Sequence, residues 1–135
     1  MTDTIKVLLV DRDPGFLKQT AEFLQSQGMD VVTARTAIDA SGMVTYDHPD
    51  VIVTEIELEN RDSGFELTRR VKGNANTHHI PILILTGLKT RTGVEFSQEK
   101  DGYWMKADDL AEKPLANEEL LQKIKDILTV NRSRE

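Results

Sequence analysis

Three nearly unbroken apolar runs constrain this chain more than any other feature: IKVLLV at 5–10, PDVIVT at 49–54 and IPILILT at 80–86. A strand with one wet face alternates polar and apolar residues. These runs do not, so both faces of each must be covered, as in a parallel sheet lying between two layers of helices. Segments with helical spacing stand between them. From Pro14 to Gly28, the residues Phe16, Leu17, Thr20, Ala21, Phe23 and Leu24 form one face, and Gly28 suits the C-terminal cap. DVVTA at 30–34 is a further strand, after which Thr36, with Asp39 three residues on, caps a helix running to about Asp47. Ser63 and Glu66 supply the Ser-x-x-Glu capping box of a helix through about Val71. Another helix is expected somewhere around 91–100. DDLAEKP at 108–114 reads as a short fifth strand, and Leu120, Leu121, Ile124, Ile127 and Leu128 give an amphipathic helix from Asn117 onward. Strand and helix alternate five times, which predicts a doubly wound α/β sheet.

The length of 135 residues suits a single core, expected over 1–128, with the polar end of the chain (129–135) as a tail or the start of a linker. A net charge of −6 excludes a domain built mainly to grip nucleic acid. The absence of cysteine removes disulfides and thiolate metal sites, as a reducing cytoplasm favours. The opening MTDTIKVLLV has an apolar run too short for a signal peptide or a membrane span, so a cytoplasmic domain is expected.

In such a sheet, ligands sit beyond the carboxyl ends of the strands. The first strand delivers Asp11, Arg12 and Asp13; the third delivers Glu55; the fourth, Thr86 and Gly87; the fifth, Lys113 followed by Pro114. A hydroxyl and an ammonium suit phosphoryl oxygens, and carboxylates suit a magnesium ion beside them. Asp13 before Pro14 also fits a simpler role, the N-cap before a first-turn proline.

VLLVDRDP, PDVIVTEI, IPILILTG and ADDLAEKPL, in this order and spacing, resemble the receiver domain of bacterial response regulators in two-component signalling, over nearly the whole chain. The resemblance implies a flavodoxin-like fold, (βα)5, with helices on both faces of a five-stranded parallel sheet. It implies an aspartate ending the third strand that takes a phosphoryl group from a histidine kinase, with two acids after the first strand binding magnesium beside it. It also implies a Ser/Thr and a Lys that hold the phosphoryl oxygens. Thr86 and Lys113 match, and Asp11 matches the first acid. By the same resemblance the 113–114 bond is cis, aiming the lysine inward. Partners are then a histidine kinase, an output domain or another receiver, and the face of the fourth helix, fifth strand and last helix is a site for partners or a homodimer.

The departures matter as much as the matches. Glu55 stands at the acceptor position, Arg12 replaces the second metal acid, and Leu110 replaces the aromatic switch residue three before the lysine. The loop IELENRDS lacks the usual proline and is longer by one residue, and the stretch between Thr86 and Lys113 is also longer. With Asp11 and Glu55 facing Arg12 and Lys113, the rim is formally balanced, where the family has three carboxylates and one lysine. Unit charges ~4 Å apart interact by about 4 kcal/mol at an effective dielectric near 20, so a guanidinium in place of an acid opposes magnesium strongly. A resident cofactor is therefore not expected, and any magnesium site made by Asp11, Glu55 and Asp13 is weak. Glu55, one methylene longer than aspartate, places its charge nearer Thr86 and Lys113. It either imitates a phosphorylated state or marks a retired site paired with Lys113 or Arg12, while a phosphorylatable receiver with weakened magnesium dependence remains an alternative.

A rival class is a haloacid-dehalogenase-type phosphatase using Asp11 and Asp13 as a D-x-D motif, with Thr86, Lys113 and the pair Asp108–Asp109 in its other roles. The acid pair then precedes the lysine where it should follow, and no Gly-Thr follows Asp13. No G-x-G-x-x-G follows the first strand, against a dinucleotide site. His78–His79 are expected in a solvated turn and Arg69–Arg70 on a solvated helix face. Tyr103, Trp104 and Met105 are expected either to pack over the fourth helix or to face a partner.

Overall fold

The structure is a computed structural model that describes residues 4–87 and 106–133. Five strands form one sheet: β1 (Lys6–Val10), β2 (Asp30–Ala34), β3 (Val51–Thr54), β4 (Ile82–Thr86) and β5 (Asp109–Glu112). All pairings are parallel and the order is β2-β1-β3-β4-β5, the flavodoxin-like winding. Helices α1 (Pro14–Ser26), α2 (Ala37–Asp47), α3 (Ser63–Lys72) and a C-terminal helix (Asn117–Ser133) cover it. The helix expected around 91–100, and Tyr103, Trp104 and Met105 with it, lie outside the described residues.

The apolar runs are divided between two cores by strand parity. Leu8, Val10, Ile52, Ile82 and Ile84 face Val44 of α2 and Leu67 and Val71 of α3. Val7, Leu9, Val51, Val53, Leu83 and Leu85 face Leu17 and Leu24 of α1 and Leu120 and Ile124 of the C-terminal helix. Each such side chain, fully buried, stabilises the fold by about 1.5–3 kcal/mol before entropy is counted, which explains why three strands contain almost nothing but apolar residues.

Several boundaries differ from the sequence reading. β3 and β4 start at Val51 and Ile82, and β5 ends at Glu112, before Lys113. Pro81, which has no N–H, precedes β4, although its carbonyl still accepts from Ile52 N at 3.0 Å. The capping box at Ser63 does not form. Ser63 is the first residue of α3, its hydroxyl accepts from Asn60 N at 2.7 Å, and Glu66 pairs with Arg69. The C-terminal helix continues past Leu128, the last buried apolar position, and the exposed Val130, to Ser133.

The other caps match their residues. Asp13 Oδ1 accepts from Gly15 N at 2.9 Å and Phe16 N at 3.3 Å, with Pro14 opening α1. Thr36 Oγ1 accepts from Asp39 N at 3.1 Å, and Gly28, at φ +87°, ends α1 in the left-handed region. Gly64 is required for another reason. A Cβ there would stand 2.2 Å from the Glu55 carbonyl oxygen, so α3 can close onto the end of β3 only without a side chain.

Candidate functional site at the carboxyl rim

Parallel strands bring Asp11, Glu55, Thr86 and Lys113 to the same edge, because each follows or ends its strand in register with its neighbours. Asp11, Glu55 and Thr86 are all buried, at 3%, 2% and 1% exposure. Buried carboxylates persist only with partners, and both have them. Asp11 Oδ2 receives Lys113 Nζ at 2.6 Å, and its Oδ1 accepts from Asp13 N at 2.9 Å. Glu55 Oε2 accepts from Ile56 N at 2.8 Å, while Oε1 reaches across to Gly87 N at 3.2 Å. The carboxylate of Glu55 therefore lies between backbone donors from the ends of β3 and β4, beside Thr86.

Lys113 is held on three sides. Its ammonium sits 4.1 Å above the centroid of Phe16, its backbone N–H donates to Thr86 O at 2.8 Å, and its bond to Pro114 is cis. An apolar groove lined by Phe16, Thr20, Gly87, Pro114, Leu115 and Asn117 opens beside it, with a volume of about 540 Å³. Leu110 is half-buried on β5 and packs against the core formed with α2 and α3.

Arg12 is not where charge counting placed it. Its guanidinium turns outward to Glu57, with Nη2 to Oε1 at 2.8 Å, and half of the side chain is exposed. The balance expected at the rim is thereby broken, leaving two buried carboxylates against one ammonium. A guanidinium is well hydrated at this exposure and finds an acid one strand away, so it gains nothing by entering the pocket. Arg35 donates to the Arg12 carbonyl from Nη2 at 3.0 Å and Nε at 3.3 Å. Glu59 accepts from Ala37 N at 2.7 Å and Ile38 N at 3.2 Å, the first two donors of α2. Burial is the largest single influence on the Glu59 carboxyl and pushes it up, but the N–H groups of Ala37, Glu59 itself and Ile38, together with the Ser63 hydroxyl, jointly outweigh it and hold the group below its ordinary value.

Magnesium does not fit these donors as they stand. Both oxygens of Asp11 and both of Glu55 already accept a hydrogen bond or ion pair, Asp13 is turned to its cap, and an arginine occupies the second acid position. A hard cation needs several free oxygens at short distance. Among the described residues, no group of three or more His, Asp or Glu gathers as a metal cluster.

The acid pair of the phosphatase reading lies at the other end of the sheet. Asp108 accepts from Ile82 N at 2.8 Å and pairs with Lys72, far along the strands from Lys113. His78 and His79 also precede β4 at that end, and the Nδ1 of His78 meets Ala75 O at 3.0 Å. Sequence reasoning missed Phe16, Arg35, Glu57, Glu59 and Gly64. A signal for two of them existed in the alternating acids of TEIELE, where Glu55, Glu57 and Glu59 recur every second residue.

The comparisons bear on the family and the fold. The response regulator receiver domain family matches residues 7–125. The chain is 31% identical over 125 residues to the response regulator MprA of Mycobacterium tuberculosis, covering 93% of this chain and 51% of that protein. It is 31% identical to protein PilG of Pseudomonas aeruginosa, covering 92% and 87%. The solved structure of the chemotaxis response regulator CheY4 of Vibrio cholerae superposes with a TM-score of 0.79 at 28% identity, covering 93% of this chain and 99% of that one. The chain belongs to the response regulator receiver domain family. It spans about half the length of MprA. Receiver domains are signalling modules of two-component systems that meet histidine kinases and output domains, and they are not enzymes in the ordinary sense. The phosphatase reading is thus overturned. Among the described residues, no helix is long and apolar enough to cross a membrane.

Proposed function

We propose that this receiver works by protein–protein contact, with Glu55 standing permanently in the place of a phosphoryl group on an acceptor aspartate. The observation that carries this reading is the placement of the Glu55 carboxylate between Ile56 N–H and Gly87 N–H, beside Thr86. Backbone donors converging from two strand ends are what an anionic oxygen needs, and here the chain's own carboxylate takes them. Lys113 and Asp11 complete the charged rim, and Leu110 stands at the position from which a receiver reports the state of its site. The partner is a histidine kinase, an output domain or another receiver, engaged through the face that includes β5 and the C-terminal helix; a homodimer would use the same face. The receiver proper is taken as 1–128, with 129–135 leading out of it.

The outward turn of Arg12 favours a second reading, phosphorylation at Glu55 with weakened magnesium dependence, because the guanidinium no longer repels a metal from within the pocket. Intact-mass measurement after incubation with magnesium and a small phosphodonor separates the two. The unmodified protein should gain no phosphoryl group, whereas Arg12→Asp/Glu55→Asp should gain one. A stoichiometric, base-labile adduct on the unmodified chain would replace the first reading with the second. Glu55→Gln, which removes the charge at nearly constant shape, should change binding to the cognate partner if Glu55 imitates the activated state.

A further inference from the structure

We infer that the Arg12–Glu57 pair is a built-in cation bridge that holds the rim loops together, so that this receiver keeps its rim ordered without a divalent ion. The disagreement between the acidic donors and a magnesium site is the starting point. The acids of the β1–α1 and β3–α3 loops cannot be gathered by a metal as they stand, yet the two loops are joined. Arg12, one residue past Asp11, crosses to Glu57, two residues past Glu55, at 2.8 Å. A guanidinium is permanently charged and tethered to the chain, so the crossing depends on no dissolved ion.

The bridge is one link of a closed ring. Glu59, two residues beyond Glu57, accepts from the first two N–H groups of α2 at 2.7 and 3.2 Å. Arg35, two residues before α2, returns to the Arg12 carbonyl at 3.0 and 3.3 Å. The path runs from the β1–α1 loop to the β3–α3 loop, to α2, and through the β2–α2 loop back to Arg12. A single half-exposed ion pair contributes little by itself. In a ring each contact fixes the geometry of the next, and the carbonyl of Arg12 is pinned while its side chain is pinned elsewhere. Glu57 and Arg12 are here positioning residues, which act by fixing the loops from which Asp11 and Glu55 project.

This inference is independent of whether Glu55 imitates a phosphoryl group, because no phosphodonor enters its test. Hydrogen exchange read by mass spectrometry on the full 135-residue chain follows peptides covering 11–17 and 55–63, with β4 peptides as the internal reference. The unmodified protein should exchange identically in magnesium chloride and in EDTA. Arg12→Gln and Glu57→Gln should each speed exchange in the rim peptides several-fold and leave β4 unchanged, and the double variant should be no faster than either single one. Arg12→Glu/Glu57→Arg, which restores opposite charges in reversed order, should recover most of the protection. Arg12→Asp should lose protection in EDTA and regain it on adding magnesium, since an acid then stands where an ion can use it. Magnesium-dependent protection of the unmodified rim would overturn the proposal. So would wild-type exchange in Arg12→Gln, a uniform loss that includes β4, or an Arg12→Asp rim that ignores magnesium.

Discussion

The two ends of the sheet each contain a lysine–aspartate pair, and the pairs differ in what else their atoms do. At the amino end, Lys72 Nζ meets Asp108 Oδ2 at 2.8 Å, and the same ammonium donates to Ile80 O at 2.9 Å and His78 O at 3.3 Å. Asp108 Oδ2 also accepts from Ile82 N at 2.8 Å. Apart from the ion pair itself, these bonds close backbone groups left open between the end of α3 and the start of β4, so the pair is a structural clasp. At the carboxyl end, Lys113 and Asp11 lie closer, at 2.6 Å, Asp11 is almost fully buried, and Lys113 Nζ also lies over the face of Phe16. Equal chemistry thus closes backbone groups at one end and joins two strand ends to an aromatic face at the other. The largest expected effect tests the clasp. Asp108→Ala leaves the Ile82 N–H without its acceptor and a mostly buried ammonium without its counter-ion, and should cost about 2–4 kcal/mol in urea unfolding. A loss under 1 kcal/mol would show that the amino end is no more structural than the rim.

Gly64→Ala comes next in size and reaches the rim through the backbone. The added methyl cannot coexist with the Glu55 carbonyl at 2.2 Å, so α3 must retreat from β3 at a cost of about 1–3 kcal/mol. Amide shifts in a heteronuclear spectrum should concentrate at Glu55, Ile56 and Gly87; a spectrum changed only within α3 would mean that the helix, not the rim, absorbs the strain. The sharpest contrast comes from neutralising each pair in full. Asp11→Asn/Lys113→Met should fall within about 1 kcal/mol of the parent or exceed it, because a buried ion pair replaced by apolar and neutral groups is often no loss. Asn keeps the acceptor for Asp13 N–H, and Met keeps contact with Phe16. Lys72→Met/Asp108→Asn should instead be destabilised, since the carbonyls of Ile80 and His78 lose their donor. Equal urea midpoints for the two double variants would erase the distinction between the clasp and the rim pair.

The same division governs what could be read without a structure. Strand positions were legible because burial on both faces leaves only apolar residues, and the common face of Leu8, Ile52 and Ile84 follows from parity. The rim residues Asp11, Glu55 and Thr86 were legible because each comes directly after, or at the close of, an apolar run, and Lys113 because it stands before Pro114 at the end of the short strand motif DDLAEKP. Direction within the rim was not. Arg12 follows Asp11 in the chain, yet whether its guanidinium enters the pocket depends on Glu57, whose place is set by how the β3–α3 loop folds back. Ser63 satisfies the letter of a capping box, but the hydroxyl is drawn to Asn60 N because that loop turns one residue earlier. Gly64 gave no sign at all, since a close approach of helix to strand is a property of their packing and not of either segment.

Glu59 gives the smallest effect and the one with a defined pH signature. Its carboxyl is held below the ordinary 4.5, with burial opposing and the N–H groups of Ala37, Glu59 and Ile38 and the Ser63 hydroxyl prevailing. A carboxyl depressed in the folded state contributes stability that is complete above its unfolded value and is lost as pH falls through its folded value. Glu59→Gln cannot titrate and offers one acceptor where the carboxylate offers two. Its Tm should therefore lie slightly below the parent's at pH 7, and the gap should narrow as the pH drops below 4.5 and close once the parent is protonated. A gap that stays constant from neutral to strongly acidic pH would mean that the ionised form gains nothing from the start of α2. In that event the ring of loop contacts would lose its charge-dependent link at Glu59, and the order of the rim would rest on Arg12, Glu57 and Arg35 alone.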